Sequence, residues 1–181
     1  YQHAINQALR ISDECIISTD IPSILNKENI IGLKIIKRSK KLSTDNSPMS
    51  DVILNVIKTQ KLIDNIIILL QATSPLRLDS DIKSCISLYK SGLYSMVMSV
   101  TQKDSGCLKY GFIKNNEFKP IINTDLCFKN RQLLPNIYGP NGAIYIFSGN
   151  DFTQRKDFPS QKVGFHEMPL ERSLDIDTEL D

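Results

Sequence analysis

An α/β fold is what this sequence predicts, and three observations carry that expectation. Short apolar runs alternate with amphipathic stretches of helical length, the pattern of a largely parallel sheet covered by helices on both faces. The run Ile66-Ile67-Ile68-Leu69-Leu70 is continuous rather than alternating, and the β-branched Ile66-Ile67-Ile68 within it suits a strand buried on both sides. Finally, 181 residues that are 41% hydrophobic and 23% charged are enough for one domain with a real core.

The elements follow in chain order. Residues 14–18 read as the first strand, and Asp20 is placed to cap a helix after Pro22. Residues 33–37 read as a second strand. Ser50-Asp51 then offers an N-cap to a stripe of Val52, Leu54, Val56, Ile57 and Leu62. After the strand at 65–70, Asp79-Ser80 offers another to Ile82, Cys85, Ile86 and Leu88, and further strands are expected at 94–100 and 142–147. Between them the pattern changes. Residues 107–140 are short, polar-punctuated segments with an Asn115-Asn116 turn, which predicts a β-hairpin within an inserted, β-rich flap. With no repeat, linker or low-complexity tract, residues 1–181 read as one domain.

Bulk properties narrow the function. A net charge of +2 and a pI near 8.3 are too mild for a nucleic-acid or membrane surface, and the basic cluster at 34–41 reads as a solvated strand end. Cys15, Cys85, Cys107 and Cys127 form no Cys-x-x-Cys pair, and with only His3 and His166 there is no zinc-ligand spacing, so a reduced, cytoplasmic protein is expected. The longest apolar run, 66–70, is far short of the ~20 residues that cross a bilayer. The chain opens on Tyr1 and stops at Asp181 directly after an acidic motif, so it reads as clipped at both ends, which leaves a targeting segment before Tyr1 open.

In open α/β sheets the ligand crevice lies beyond the carboxyl ends of the strands. There Gln71-Ala72-Thr73-Ser74-Pro75-Leu76-Arg77 supplies an amide, two hydroxyls and a guanidinium, although Pro75 equally suits a plain strand-to-helix turn. Arg131-Gln132 and then Gly139-Pro140-Asn141-Gly142-Ala143 precede a strand, with glycines that allow a ligand close to the backbone. Near the end, Asp175 and Asp177 stand two residues apart. In an extended segment they project to one side, roughly 6–7 Å apart, while Ile176 points inward. Hard oxygen donors so spaced can hold Mg²⁺ with positions left for phosphate oxygens, and as an isolated pair they would equally suit helix capping near Thr178. His3 and His166 read as packing or surface residues.

Taken together, Leu69 to Arg77, Arg131-Gln132 with Leu134-Pro135, Pro140-Asn141-Gly142-Ala143-Ile144-Tyr145 and Glu171-Arg172-Ser173-Leu174-Asp175-Ile176-Asp177-Thr178 stand in the order and spacing of the acylneuraminate cytidylyltransferases. The chain resembles that family, the CMP-sialic acid synthetases, over nearly its whole length. The resemblance implies a Rossmann-like three-layer sandwich of the nucleotide-diphospho-sugar transferase type, with a mostly parallel sheet. It implies that a nine-carbon 2-keto sugar acid attacks CTP, releasing pyrophosphate and giving a CMP-sugar for cell-surface glycans. Asp175 and Asp177 would be catalytic as the Mg²⁺ ligands. Gln71, Thr73, Asn141 and Gly142 would line the sugar side, Arg131 would pair with the sugar carboxylate, and Arg38 would contact the nucleotide. It also implies a homodimer in which the 107–140 flap reaches the partner's pocket.

The sequence departs from the family pattern in three places. The first strand and phosphate-binding loop of the family would precede Tyr1. Thr44-Asp45-Asn46-Ser47-Pro48-Met49 replaces an Ala-Ser-Ser run, and Ala72 replaces a proline. Two other readings stay open: activation of another acidic sugar (legionaminic, pseudaminic or 3-deoxy-octulosonic acid), and a non-catalytic binding or assembly domain.

Overall fold

The structure is a computed structural model that describes residues 1–27, 30–176 and 178. The elements run α1 (Gln2–Ile11), β1 (Cys15–Thr19), α2 (Pro22–Leu25), β2 (Leu33–Lys37), α3 (Met49–Thr59), β3 (Ile66–Leu70), α4 (Asp79–Lys90) and β4 (Met96–Lys103). They continue as β5 (Gly111–Lys114), β6 (Glu117–Pro120), α5 (Thr124–Phe128), β7 (Ile137–Ser148), α6 (Gly149–Arg155) and β8 (Val163–Glu167).

The main sheet has the order β3-β7-β4-β8. β7 is antiparallel to both β3 and β4, and β8 is parallel to β4, so β3, β4 and β8 share one direction and β7 alone is reversed. β1 and β2 form a separate parallel pair. The α/β expectation therefore holds in a mixed form, with one long strand inserted between the two that α4 connects. This placement corrects the reading of residues 66–70 as a strand buried on both faces. Among the described residues β3 is an edge strand, and Ile66 is 53% exposed.

Side-chain alternation splits the core in two. Ile144, Ile146 and Val97 pack with Ile82 and Cys85 of α4 on one face, while Phe147 and Met96 pack with Ile53 and Ile57 of α3 and Phe152 of α6 on the other. Helices on both faces make the three layers. Phe147 stacks on Phe152 at 4.9 Å between ring centroids, and Phe158 meets both edge-on at 5.4 and 5.3 Å. Gly149 permits this corner, since a Cβ there would lie 2.2 Å from the Leu62 carbonyl oxygen.

The hairpin forms as its turn predicts: β5 and β6 pair antiparallel, and Asn115 and Asn116 take φ of 52° and 57°, the left-handed pair of a tight two-residue turn. The helix starts differ from expectation. α3 begins at Met49 with Pro48 at the cap position, and α4 begins at Asp79 with Leu78 there. Asp79 instead pairs with Arg10, at 2.7 Å, and it is the Asp81 carboxylate that accepts the Leu78 N–H, at 2.8 Å. Asp20 does not cap α2; the Ile21 N–H donates to Thr19 Oγ1 at 3.1 Å. β8 was missed because Val163-Gly164-Phe165-His166-Glu167 carries only two apolar side chains. Cys15, Cys85, Cys107 and Cys127 are free thiols.

Candidate active site

The site forms where β3 ends, β7 bulges and the segment after β8 turns back across both. On β4, Met98 pairs with Tyr145 and Val100 with Pro140, so Ser99 alone faces the four residues 141–144 of β7. Ser99 fills that gap. Its hydroxyl donates to Asn141 Oδ1 at 2.6 Å and accepts the Ile144 N–H at 2.9 Å, while Asn141 Oδ1 also accepts the Ala143 N–H at 3.2 Å. The backbone N–H groups of Ala143 and Ile144 thereby keep partners across the bulge, which has Gly142 at its apex. Gly142 has φ of +78°, and a Cβ there would lie 2.5 Å from Gln71 Oε1 and 3.3 Å from Asp175 Oδ2. Two of the expected site residues, Gln71 and Asp175, thus meet around a third, Gly142, which has no side chain.

Gln71 follows β3 directly, and its Nε2 lies 3.5 Å from Met49 Sδ at the start of α3. The next residues are locked by Arg77, whose Nη1 donates to the carbonyls of Gln71, Ser74 and Ala143 at 2.6, 3.0 and 3.1 Å. Thr73 contributes its backbone, its carbonyl accepting the Ile176 N–H at 2.8 Å, which ties the acidic segment to the loop.

Two further anchors set that segment. Asn141 Nδ2 donates to Ser173 Oγ at 2.9 Å, so the Asn141 side chain, which is 5% exposed, is spent on internal bonds rather than presented to a ligand. The Arg172 guanidinium bonds to Asp81 on α4, whose other oxygen lies 3.1 Å from His166 Nε2. Burial pushes the Asp81 carboxyl up, but Arg172, the Leu78 amide and His166 together hold it below the ordinary value of 3.8. His166 is thus a partner of Asp81 rather than a lone packing residue.

A depressed carboxyl stabilises the fold above its unfolded value, and that contribution is lost as pH falls through the folded one. The melting temperature of the wild type is expected to drop below pH 4 more steeply than that of Asp81→Asn, which is less stable at pH 7 but flatter in acid. Parallel melting curves for the two proteins from pH 7 to pH 3 would overturn the anchor.

Asp175 is exposed, and burial followed by the charge of Asp175 raises the phenol of Tyr145 on β7. Asp177 lies outside the described residues, so the paired geometry of the two acids is not described. Ile176 is a correction: it is 41% exposed, because the segment is held by its backbone and by Arg172 and Ser173 rather than by an inward apolar side chain.

The remaining expected residues are not drawn into this cluster. Arg38, after β2, donates through Nε to Ser18 Oγ at 3.3 Å and through Nη2 to the Ser18 carbonyl at the end of β1. Arg131, in a short 3-10 turn after α5, pairs at 2.7 Å with Asp104 at the end of β4, and its side chain is 70% exposed. Sequence reading missed Ser99, Asp81 and the inward aim of Arg77. Arg77 and Arg172 were visible as parts of motifs, but the Ala143 carbonyl that Arg77 reaches and the Asp81 carboxylate that Arg172 reaches are 66 and 91 residues away and leave no local signal.

The sequence profile of the cytidylyltransferases matches residues 1–176. The chain belongs to the cytidylyltransferase family. Among curated relatives, an N-acylneuraminate cytidylyltransferase of Streptococcus agalactiae serotype V is 28% identical over 179 residues, 97% of this chain and 42% of that protein. A CMP-N,N'-diacetyllegionaminic acid synthase of Legionella pneumophila is 29% identical over 195 residues, 99% of this chain and 80% of that protein. The chain spans about two-fifths of the length of the streptococcal relative. Solved structures support the fold of this chain. A CMP:2-keto-3-deoxy-manno-octonic acid synthetase complexed with CTP superposes with a TM-score of 0.63 at 15% identity, over 93% of this chain and 78% of that one. A 4-diphosphocytidyl-2C-methyl-D-erythritol synthase from Anaerococcus prevotii gives 0.65 at 12%, over 99% and 81%.

Proposed function

We propose that this cytidylyltransferase chain transfers CMP from CTP to the anomeric hydroxyl of a nine-carbon 2-keto sugar acid. The sugar oxygen bonds to the α-phosphorus, the bond from that phosphorus to the bridging oxygen breaks, pyrophosphate leaves, and the hydroxyl proton passes to solvent. The observation that carries this reading is the convergence of Gln71 Oε1 and Asp175 Oδ2 on Gly142, beyond the carboxyl end of β3. An amide and a carboxylate over bare backbone can receive a polar, multi-hydroxyl ligand close to a charge-handling group. Thr73 and Asn141 support this surface, Thr73 through its carbonyl and Asn141 by fixing the bulge.

The donor chemistry suits Mg²⁺: the Asp175 carboxylate and the Gln71 amide oxygen are hard oxygens at an exposed edge, and Mg²⁺ takes few protein ligands and keeps positions for phosphates. Asp175 would hold it, with Asp177 as the second acid of the motif, and the ion would supply charge neutralisation at the phosphate oxygens. Arg38, pointed across the end of β1, is assigned to the nucleotide side, and Arg131 to the sugar carboxylate. Arg131 would serve the neighbouring site of a homodimer. That assembly is supported by the apolar surface of the flap, where Phe112, Ile113, Phe118 and Phe128 are 68%, 76%, 50% and 84% exposed. Among the described residues no helix is long and apolar enough to cross a membrane, and we place the protein in the cytoplasm.

A second reading, transfer to legionaminic acid or another acidic sugar, is favoured by the similarity to the Legionella protein along 80% of that protein's length. One assay separates them: pyrophosphate release from CTP and Mg²⁺ with a panel of 2-keto sugar acids, on protein whose mass is measured by light scattering. Release with N-acylneuraminate, from a particle of twice 20.5 kDa, is expected for this chain. Release with another acid alone selects the second reading, and none with any acid leaves a non-catalytic domain.

A further inference from the structure

Arg77 is the largest fully buried side chain among the described residues and is 1% exposed, yet no carboxylate among them bonds its guanidinium. Burying a charge costs several kcal/mol unless it is well partnered, and burial alone pulls this guanidinium down to about 10. An apolar side chain of similar volume would fill the space without that cost. It could not do what Nη1 does, which is to gather three carbonyls from the loop after β3 and the bulge of β7. Two of them, Gln71 and Ser74, belong to the loop that carries Gln71; the third, Ala143, directly follows Gly142. The Arg77 backbone is fixed in turn from α1, Gln7 Nε2 donating to its carbonyl at 2.7 Å. Arg77 Nε and Nη2, Ser74 Oγ and Gln7 Oε1 are buried without a hydrogen-bond partner among the described residues, so the guanidinium keeps two N–H edges beyond those the clamp uses.

We propose that Arg77 is a positioning residue for sugar-acid recognition: its buried guanidinium sets the spacing between the Gln71 loop and the Gly142 bulge without touching substrate. The spacing matters because Gln71 Oε1 lies only 2.5 Å from where a Cβ on residue 142 would be, so a small separation of the two backbones opens that face. The inference rests on the nucleotidyl-transfer reading above.

The test compares Arg77→Met, which keeps the volume and removes every donor, with Arg77→Lys, which keeps one charged donor group. In Arg77→Met the KM for the sugar acid is expected to rise at least tenfold while that for CTP stays within twofold, with Arg77→Lys between it and the wild type. A merely structural role would lower kcat through loss of active protein and leave both KM values alone; that result overturns the proposal, as does a parallel rise in both. A second readout needs no turnover. Amide hydrogen exchange at residues 71–74 and 143–144 is expected to accelerate at least tenfold in Arg77→Met while the interior of α4 is unchanged. No acceleration there, or acceleration across the whole chain, overturns the clamp. If Arg77→Met does not fold, Arg77→Lys is read by the same two criteria. If the wild type releases no pyrophosphate with any acid, the nucleotidyl-transfer reading fails by itself, and exchange alone decides the clamp.

Discussion

Replacing Asp175 with Asn is expected to lower turnover on the order of 100-fold or more, because an amide of the same size cannot neutralise a cation at the phosphates; that loss corresponds to roughly 3 kcal/mol of transition-state stabilisation. The fold should not notice. Asp175 is exposed and, among the described residues, its carboxylate has no buried hydrogen-bond partner, so the melting temperature is expected to stay within about 2 °C of wild type. Tyr145 gives an internal check, since the Asp175 charge adds to burial in raising its phenol: the Tyr145 titration, isolated by difference against Tyr145→Phe, should move to lower pH in Asp175→Asn. The metal assignment is overturned by turnover within a few-fold of wild type and an unchanged response to Mg²⁺ concentration.

Gly142→Ala is expected to raise the KM for the sugar acid tenfold or more and to lower the melting temperature by several degrees. Two costs combine. An L residue held at φ of +78° costs about 1–2 kcal/mol, which for a domain of this size is a shift of roughly 2–8 °C. The added methyl would stand 2.5 Å from Gln71 Oε1, so the Gln71 side chain must swing out of its position. Asp175 Oδ2, at 3.3 Å, needs to give only a few tenths of an ångström, so the metal side should suffer less than the sugar side. Kinetics on the folded variant decide this. A KM that is unchanged for the sugar and raised for CTP would place Gly142 on the nucleotide face instead. Arg77→Met and Gly142→Ala act on the same gap from opposite sides, so their effects on sugar KM should not add.

Much of this was legible in the chain. The periodic stripes of α3 and α4 and the Asn115-Asn116 turn follow from local rules, and the structure forms those elements within a few residues of the expected bounds. The motif order was enough to gather Gln71, Gly142 and Asp175. What sequence could not give was direction and reach. A lone run such as Ile66-Ile67-Ile68 looks alike at an edge or in the middle of a sheet, and nothing in 137–148 signals that this strand runs against its neighbours. Ile176 looked like an inward anchor by alternation alone, but Arg172 and Ser173 take that job through partners on α4 and β7. Asn141 was read as a ligand contact, whereas its amide closes the bulge, because the spacing that makes it useful depends on Ser99 some forty residues earlier.

The reversed strand also has a bearing on how the molecule comes to exist. β3 and β4 are joined by α4 early in the chain, but the strand that lies between them is not complete until Ser148, and Ile66 must find it across the whole intervening stretch. As the polypeptide leaves the ribosome, two strand edges and the apolar faces meant for α4 and α3 are therefore exposed together. They stay so until synthesis has passed the hairpin. Long-range pairing of this kind makes for slow assembly and a window in which the nascent chain is open to aggregation or to chaperones. The arrangement that builds the site around β7 also means that the site cannot close until β7, and after it the segment that ends at Ile176, has been made.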